Sequence, residues 1–393
     1  MDNQRLFLWI GLLFVFWMNY EAWNRDYGAP ATPPAAAQPA AGAAAPPGPT
    51  GVPSIGAAAG TAGVPTPGTT PAAGAAAAAP AAPMIASGLA SLPQADAPTI
   101  HVRTDVLDLT ISTVGGQILR ADLVQYPVQK DKPNVPVRLF NVDTPESVFA
   151  FQSGLASGNA DAEPNHNARY TAAATEYTLA PGQDTLAVPL TWTDEQGLEV
   201  TKTYTFHRGR YDVGLGYDVK NQTGAPWRAA PYAQFVRHYV PVERSMWNPE
   251  SYAYKGPAIW TGAKYERLKL DDEENANFKL SVTDGWIASM QHHFAAAVVP
   301  KRDEPQEYSL TVKDMDYLLR TFGAPKEVAP GATARFEQSL FVGPKLQSQM
   351  QTLHPELRRV ADYGMLTILA QPLFWLLSQV HKLVGNWGWA III

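Results

Sequence analysis

Residues 185–220 read TLAVPLTWTDEQGLEVTKTYTFHRGRYDVGLGYDVK. Thr185–Thr193, Leu198–His207 and Tyr211–Lys220 either alternate apolar and polar residues or are rich in β-branched and aromatic ones, the period-two signature of strands. Asp194-Glu195-Gln196-Gly197 separates the first two as a hairpin turn, and Arg208-Gly209 punctuates the next junction. Val106–Ser112 and Arg335–Val342 carry the same pattern, with Gly115-Gly116 as a further break. Convincing helical windows are scarce between Pro98 and Val342. Many strands at short spacing over these 245 residues predict a mainly β fold, a large antiparallel sandwich.

Upstream, the segment from Gly28 to Ala95 holds no charged residue and is dominated by Ala, Pro, Gly and Thr. Such a composition cannot bury enough apolar surface to offset chain entropy. Residues 24–97 are therefore expected to form a tether, with a typical reach of roughly 45 Å as a flexible coil. Before it, Leu6–Trp23 is almost purely apolar, with Asn19 and Glu21 as late exceptions. At 1.5 Å per residue it would span about 27 Å, enough for a bilayer core. A cleaved signal peptide has a shorter apolar region and a small-residue cleavage site, whereas this run ends in Met18-Asn19-Tyr20-Glu21. An uncleaved anchor over 6–23 is expected, with residues 1–5 cytoplasmic because Arg5 and the amine precede it.

Downstream of Gly343-Pro344, Lys345–Leu353 reads as a short helix stopped by Pro355, and Glu356–Tyr363 leads into the closing stretch, 371–393, QPLFWLLSQVHKLVGNWGWAIII. At about 100° per residue, Leu366, Leu369, Leu373, Leu376, Leu377, Val380, Leu383 and Val384 share one broad face. Thr367, Gln371, Ser378 and Lys382 share the opposite one, flanked by Phe374, Trp375 and His381. Pro372 is expected either to open this helix at its first turn or to kink it. Aromatics beside a sparse polar stripe suit a helix lying in a membrane interface, while a core-packing helix has the same periodicity. The apolar run from Trp387 tips the balance to the membrane. Residues 344–385 are thus assigned to helical, partly interfacial structure, and 386–393 to the start of a second membrane span.

The 393 residues carry a formal net charge of −6, without the basic footprint of a nucleic-acid binder. There are no cysteines, so disulfides, thiol catalysis and cysteine-ligated metal are excluded. His292-His293 is the only histidine pair, and strand geometry would send the two rings to opposite faces, preventing joint metal ligation. Asp271-Asp272-Glu273-Glu274 lacks the spacing and glycine of a calcium loop and reads as a solvated loop. Asn221-Gln222-Thr223 matches a glycosylation sequon, a triplet common by chance. Gly214 and Gly216 lack the third glycine and following helix of a dinucleotide site. Trp247, Tyr252, Tyr254 and Trp260 could line a cleft or sugar platform, or seal the core under loops. No catalytic, cofactor-binding or metal residue is assigned, and no cofactor is expected.

Asp362-Tyr363-Gly364, QPLFWLL, His381 and VGNWGWAIII resemble the region leading into the second span of the YidC/Oxa/Alb family of membrane protein insertases. MDNQRLFLWIGLLFVFWMNYEAW at 1–23 is similar to the first span of the Gram-negative type, and TDVLDLTISTVGG at 104–116 to the opening of its periplasmic domain. The resemblance implies a β-supersandwich like that of galactose mutarotases over 98–343. It also implies a non-enzymatic role in inserting, folding and assembling inner-membrane proteins, alone or with the Sec translocon. Client membrane proteins, the translocon and the lipid bilayer would be its partners; ribosome contact is not expected of this portion. In that family the insertion groove is built from later spans, with an arginine soon after the stretch matching Ile391–Ile393. No groove residue is carried over, and the chain as given is not expected to insert clients. Two rivals stand beside this reading: an anchored sugar-active or sugar-binding protein using His292 or His293 with a distant glutamate, and a scaffold that docks to the translocon.

Overall fold

A computed structural model describes Trp17 and residues 97–158, 163–241, 253–272, 275, 277–361 and 367–392. The expected tether, Trp247, Tyr252, Glu273, Glu274 and Asp362-Tyr363-Gly364 lie outside them. So does the N-terminal apolar run apart from Trp17, which is helical and exposed. All other described elements belong to the compact unit Ala77–Ile393.

Twenty strands follow in chain order among the described residues. The first seven are β1 (Thr99–Arg103), β2 (Leu107–Ser112), β3 (Ile118–Pro127), β4 (Pro136–Phe140), β5 (Phe149–Ala156), β6 (Thr171–Ala172) and β7 (Glu176–Thr178). The next six are β8 (Thr185–Thr193), β9 (Leu198–His207), β10 (Asp212–Asn221), β11 (Trp227–His238), β12 (Gly256–Trp260) and β13 (Tyr265–Arg267). Then come β14 (Lys279–Val282), β15 (Trp286–Met290), β16 (Phe294–Pro300), β17 (Gln306–Lys313), β18 (Asp316–Gly323), β19 (Lys326–Val328) and β20 (Thr333–Pro344). They form two sheets. One runs β14-β17-β18-β11-β5-β3-β2-β1-β7, with β4 and β19 attached, and the other β13-β12-β15-β16-β20-β10-β9-β8-β6. Every pairing is antiparallel except β1 with β7.

The expected strands at 185–193 and 198–207 form with those bounds and pair along their whole length, Thr193 opposite Glu199 and Thr185 opposite His207. Their turn is closed by Asp194, whose Oδ1 accepts the Gln196 and Leu198 amides at 2.9 and 2.7 Å, while Gly197 takes φ +100°. In β9 every second residue is buried, the alternation that packs one face of a sheet on a partner. The core between the sheets joins Leu109, Phe151, Phe235 and Leu319 with Val200, Leu215, Val298 and Leu340. Beside the two-residue edge strand β6, which covers only Leu190 and Thr191 of β8, Pro189 has no amide to offer a further strand.

Past β20 the chain forms α1 (Gln347–Leu353), a 3₁₀ turn η2 (Pro355–Val360), α2 (Thr367–Val384) and α3 (Trp387–Ile392); an earlier 3₁₀ turn, η1, spans Pro145–Ser147. Gln349 clamps α1 to the β9–β10 turn, accepting the Tyr211 amide at 3.0 Å and donating to the Gly209 carbonyl at 3.0 Å. Met350, Leu357 and Val360 are buried in the main core.

Candidate functional site

Two features could carry function: a polar network inside the sandwich, and the exposed apolar helices that follow it. The network is a ladder of side chains on neighbouring strands. Arg320 Nε donates to Gln234 Oε1 at 2.8 Å, and Gln234 Nε2 to Gln152 Oε1 at 2.6 Å. Gln152 Nε2 donates to Gln117 Oε1 at 2.8 Å, and Gln117 Nε2 to the His166 carbonyl at 2.6 Å. The ladder follows from register, because Gln234 lies directly opposite both Arg320 and Gln152. At its end His166 meets Tyr232, whose hydroxyl lies 2.9 Å from the His166 amide and 2.6 Å from Nδ1. The amide donates to the hydroxyl, whose own hydrogen is free to point at the ring nitrogen when the imidazole is neutral. Burial, with the Arg320 and Lys202 charges nearby, pushes His166 down to about 4.

Lys202 is fully buried on β9 among the side chains that face the first sheet. Its ammonium donates to the carbonyls of Gly115, Gly116 and Ser153 at 2.8, 3.0 and 3.2 Å. It also lies 5.3–5.9 Å from the ring centroids of Tyr204, Tyr217 and Tyr170. Burial pushes it well below the usual lysine range. The alternation of LEVTKTYTFH places Lys202 on the face of Val200 and Tyr204, so the signal for an inward lysine lies in the sequence. Each of the four donated bonds of the ladder ends on an acceptor within the protein, which makes it a brace between neighbouring strands.

The residues singled out by sequence fall as follows. His292 and His293 are not in a strand but form the two-residue turn joining β15 to β16, closed by the Gln291 amide on the Phe294 carbonyl at 2.9 Å. Their rings stack at 3.8 Å instead of pointing to opposite faces, correcting the strand expectation. Among the described residues no group of three His, Asp or Glu side chains is placed to hold a metal ion. Asn221 is buried, with Nδ2 on the carbonyls of Ala225 and Val328 and Oδ1 accepting from Thr223, so it builds a turn and cannot be reached by a modifying enzyme. The Tyr254 hydroxyl shares its one hydrogen between the carbonyls of Pro257 and Leu268, at 2.7 and 2.8 Å, and Trp260 lies under the Arg359 guanidinium at 5.1 Å. Both seal the core. Gly214 and Gly216 lie on β10, on its face away from the buried Leu215 and Tyr217.

The helices differ. Pro372 is the sixth residue of α2, in its interior, so the first-turn alternative does not hold. It leaves one helical carbonyl without its amide partner. Leu373, Phe374, Trp375 and Leu376 are all exposed, Trp375 at 63%, and Leu383 at 88%. An apolar face this open is not packed in the core of the sandwich. Gly385 ends α2 at φ +70°, its amide returning to the His381 carbonyl at 2.7 Å. Asn386 then opens α3, its Oδ1 accepting the Gly388 amide at 2.8 Å. Gly-Asn is thus a helix stop followed by a helix start. It folds Trp387 onto His381, rings 3.8 Å apart, and leaves Trp387, Trp389, Ile391 and Ile392 exposed. Among the described residues no helix is long and apolar enough to cross a membrane.

Residues 99–376 match the family model described as the YidC periplasmic domain. Over 406 aligned residues covering the whole chain, it is 37% identical to the membrane protein insertase YidC of Thioalkalivibrio sulfidiphilus, and over 398 residues 35% identical to that of Nitrosococcus oceani. The chain spans 68% and 67% of those two proteins. Among solved structures, a galactose mutarotase related enzyme from Lactobacillus acidophilus aligns over 62% of this chain and 97% of its own at 11% identity and a TM-score of 0.39. A likeness that distant carries no functional weight. With a family model across most of the chain and relatives well above 30% identity along all of it, this protein belongs to the YidC family of membrane protein insertases.

Proposed function

We propose that this chain is the membrane-anchored periplasmic part of an insertase and chaperone for integral proteins of the bacterial inner membrane, the insertion groove itself belonging to spans beyond Ile393. It would act alone or beside the Sec translocon. The observation that carries the proposal is the set of exposed apolar side chains on α2 and α3, Leu373 to Leu376 with Trp387, Trp389, Ile391 and Ile392, in a member of this family. Polar backbone and charged groups are costly in hydrocarbon. A protein surface that sits in the interface and offers apolar side chains to a client lowers that cost as the client passes. Exposed tryptophans beside leucines suit such a depth. Residues 6–23 would anchor the chain, 24–97 would tether the sandwich, and residues from 386 would turn into the bilayer. The role would be non-enzymatic, as the insertase reading implies.

The chain has no cysteine, which makes the test direct. Leu376→Cys and Ser378→Cys, each carrying an environment-sensitive fluorophore, are compared on the full chain in vesicles with and without brominated lipid. The label at 376 should shift to the blue and be quenched, and that at 378 should do neither. Aqueous spectra at both positions would refute membrane contact by α2. In the same vesicles, Leu376→Ser should weaken partitioning about tenfold, the worth of burying one leucine.

A further inference from the structure

A cleft of about 350 Å³ opens between β4, η1 and the end of β11, with Lys255 and Gln291 completing its wall. Of its basic side chains, Arg138 is neutralised by Asp122 and Asp143, and the His238 ring is hydrogen-bonded to Asp316. Arg237 is different. Its Nη1 donates to Ser289 Oγ at 3.0 Å and to the Met290 carbonyl at 2.9 Å, and the guanidinium rests 4.8 Å over the Phe149 ring. Among the described residues no carboxylate pairs with it. Since Nη1 uses both its hydrogens, the Nε–Nη2 edge remains, the edge that grips a carboxylate with two parallel bonds. Lys255, half-buried like Arg237, also forms no ion pair among the described residues. Leaving a half-buried cation unmatched is costly, and an anion in the cleft removes the cost. Glu146 is the one carboxylate in the lining, while Leu139, Phe149 and the exposed Val240 give it an apolar side.

We infer that this cleft receives a carboxylate of an extended polypeptide whose flanking side chains are apolar. The inference rests on the insertase reading. Segments that reach the outer side of the membrane are poor in Lys and Arg, because those residues hold their loops on the cytoplasmic side. Their remaining charges are carboxylates, the complement of Arg237 and Lys255. Position agrees with this. The row of Pro231, Gly323, Gln306 and Val282 adjoins Asp284, which contacts His354 at the start of η2. Arg237 lies six residues farther along β11, about 20 Å away.

The test is fluorescence anisotropy of a labelled peptide of alternating Val and Glu, titrated with the full chain in detergent. Saturable binding is expected. Replacing Glu by Gln in the peptide, or Arg237→Met in the protein, should weaken it at least about tenfold, as for loss of one partner of a desolvated charge pair. Equal binding of the Gln peptide, or unchanged binding by Arg237→Met, overturns the inference. Should Arg237→Met fail to fold, Lys255→Glu, a change at a rim side chain, must abolish binding, and its failure to do so is equally fatal. Inorganic phosphate that displaces the peptide at equal concentration would reduce the cleft to a simple anion site and overturn it too. The vesicle labels at 376 and 378 on the same preparations separate the two readings. Membrane contact without peptide binding condemns the cleft alone, and loss of membrane contact condemns the insertase reading.

Discussion

His166 shows how one side chain couples the sandwich to pH. Folded, it is held neutral with a value near 4, against 6.5 in the unfolded chain. Between those values the unfolded state binds a proton that the folded state refuses, so stability falls as pH drops from 6.5 towards 4. The full shift is worth about 3 kcal/mol. Urea unfolding at pH 7 and pH 4.5 should therefore cost the wild type roughly 2 kcal/mol more than His166→Asn, which keeps an acceptor for Tyr232 but cannot titrate. An equal loss in both proteins would show that His166 is not the group responsible; carboxylates titrate alike in both and cancel. Alternation along β9 made Lys202 legible as an inward residue, since pattern and neighbours are local. Nothing local marks His166, because its partners Tyr232 and Gln117 lie 66 and 49 residues away in the chain.

Elements were legible where the period was clean. Strands β8 and β9 have the expected bounds, and β2, β10 and β20 differ by a few residues at their ends, where hydrogen bonding and not composition decides. His292-His293 misled because its turn contains no Gly, Pro, Asn or Asp and so reads as the continuation of a strand. The α2–α3 corner rests on one residue in the left-handed region followed by a capping side-chain amide, a geometry that the helical period does not reveal. A Cβ on Gly385 would meet nothing within 4 Å, so Gly385→Ala isolates the backbone term. It should destabilise the corner by about 1 kcal/mol, and Asn386→Ala by a similar amount through loss of the cap. Amide exchange at Gly388 and Trp389 in micelles reads both, with about fivefold acceleration expected. Unchanged exchange in both variants would mean that the corner is held by its surroundings.

At the scale of the molecule, the two-sheet architecture could be read from strand spacing, but the order of strands within each sheet could not. β11 sits between β5 and β18, a placement created by contacts more than 70 residues apart. Lys202 tests how the halves depend on each other. It belongs to the second sheet and holds carbonyls on and around the first, so Lys202→Met leaves three buried acceptors without that donor. The expected loss is roughly 3 kcal/mol by urea unfolding, and a neutral or stabilising outcome would show that methionine packing outweighs the lost bonds. The same ammonium acts as a shear pin. If one sheet slid past the other by a single pleat, the charge would leave its three carbonyls while still sealed from water. The sandwich therefore has no soft sliding mode, and a pull from a crossing polypeptide would be transmitted through it as through a single rigid body.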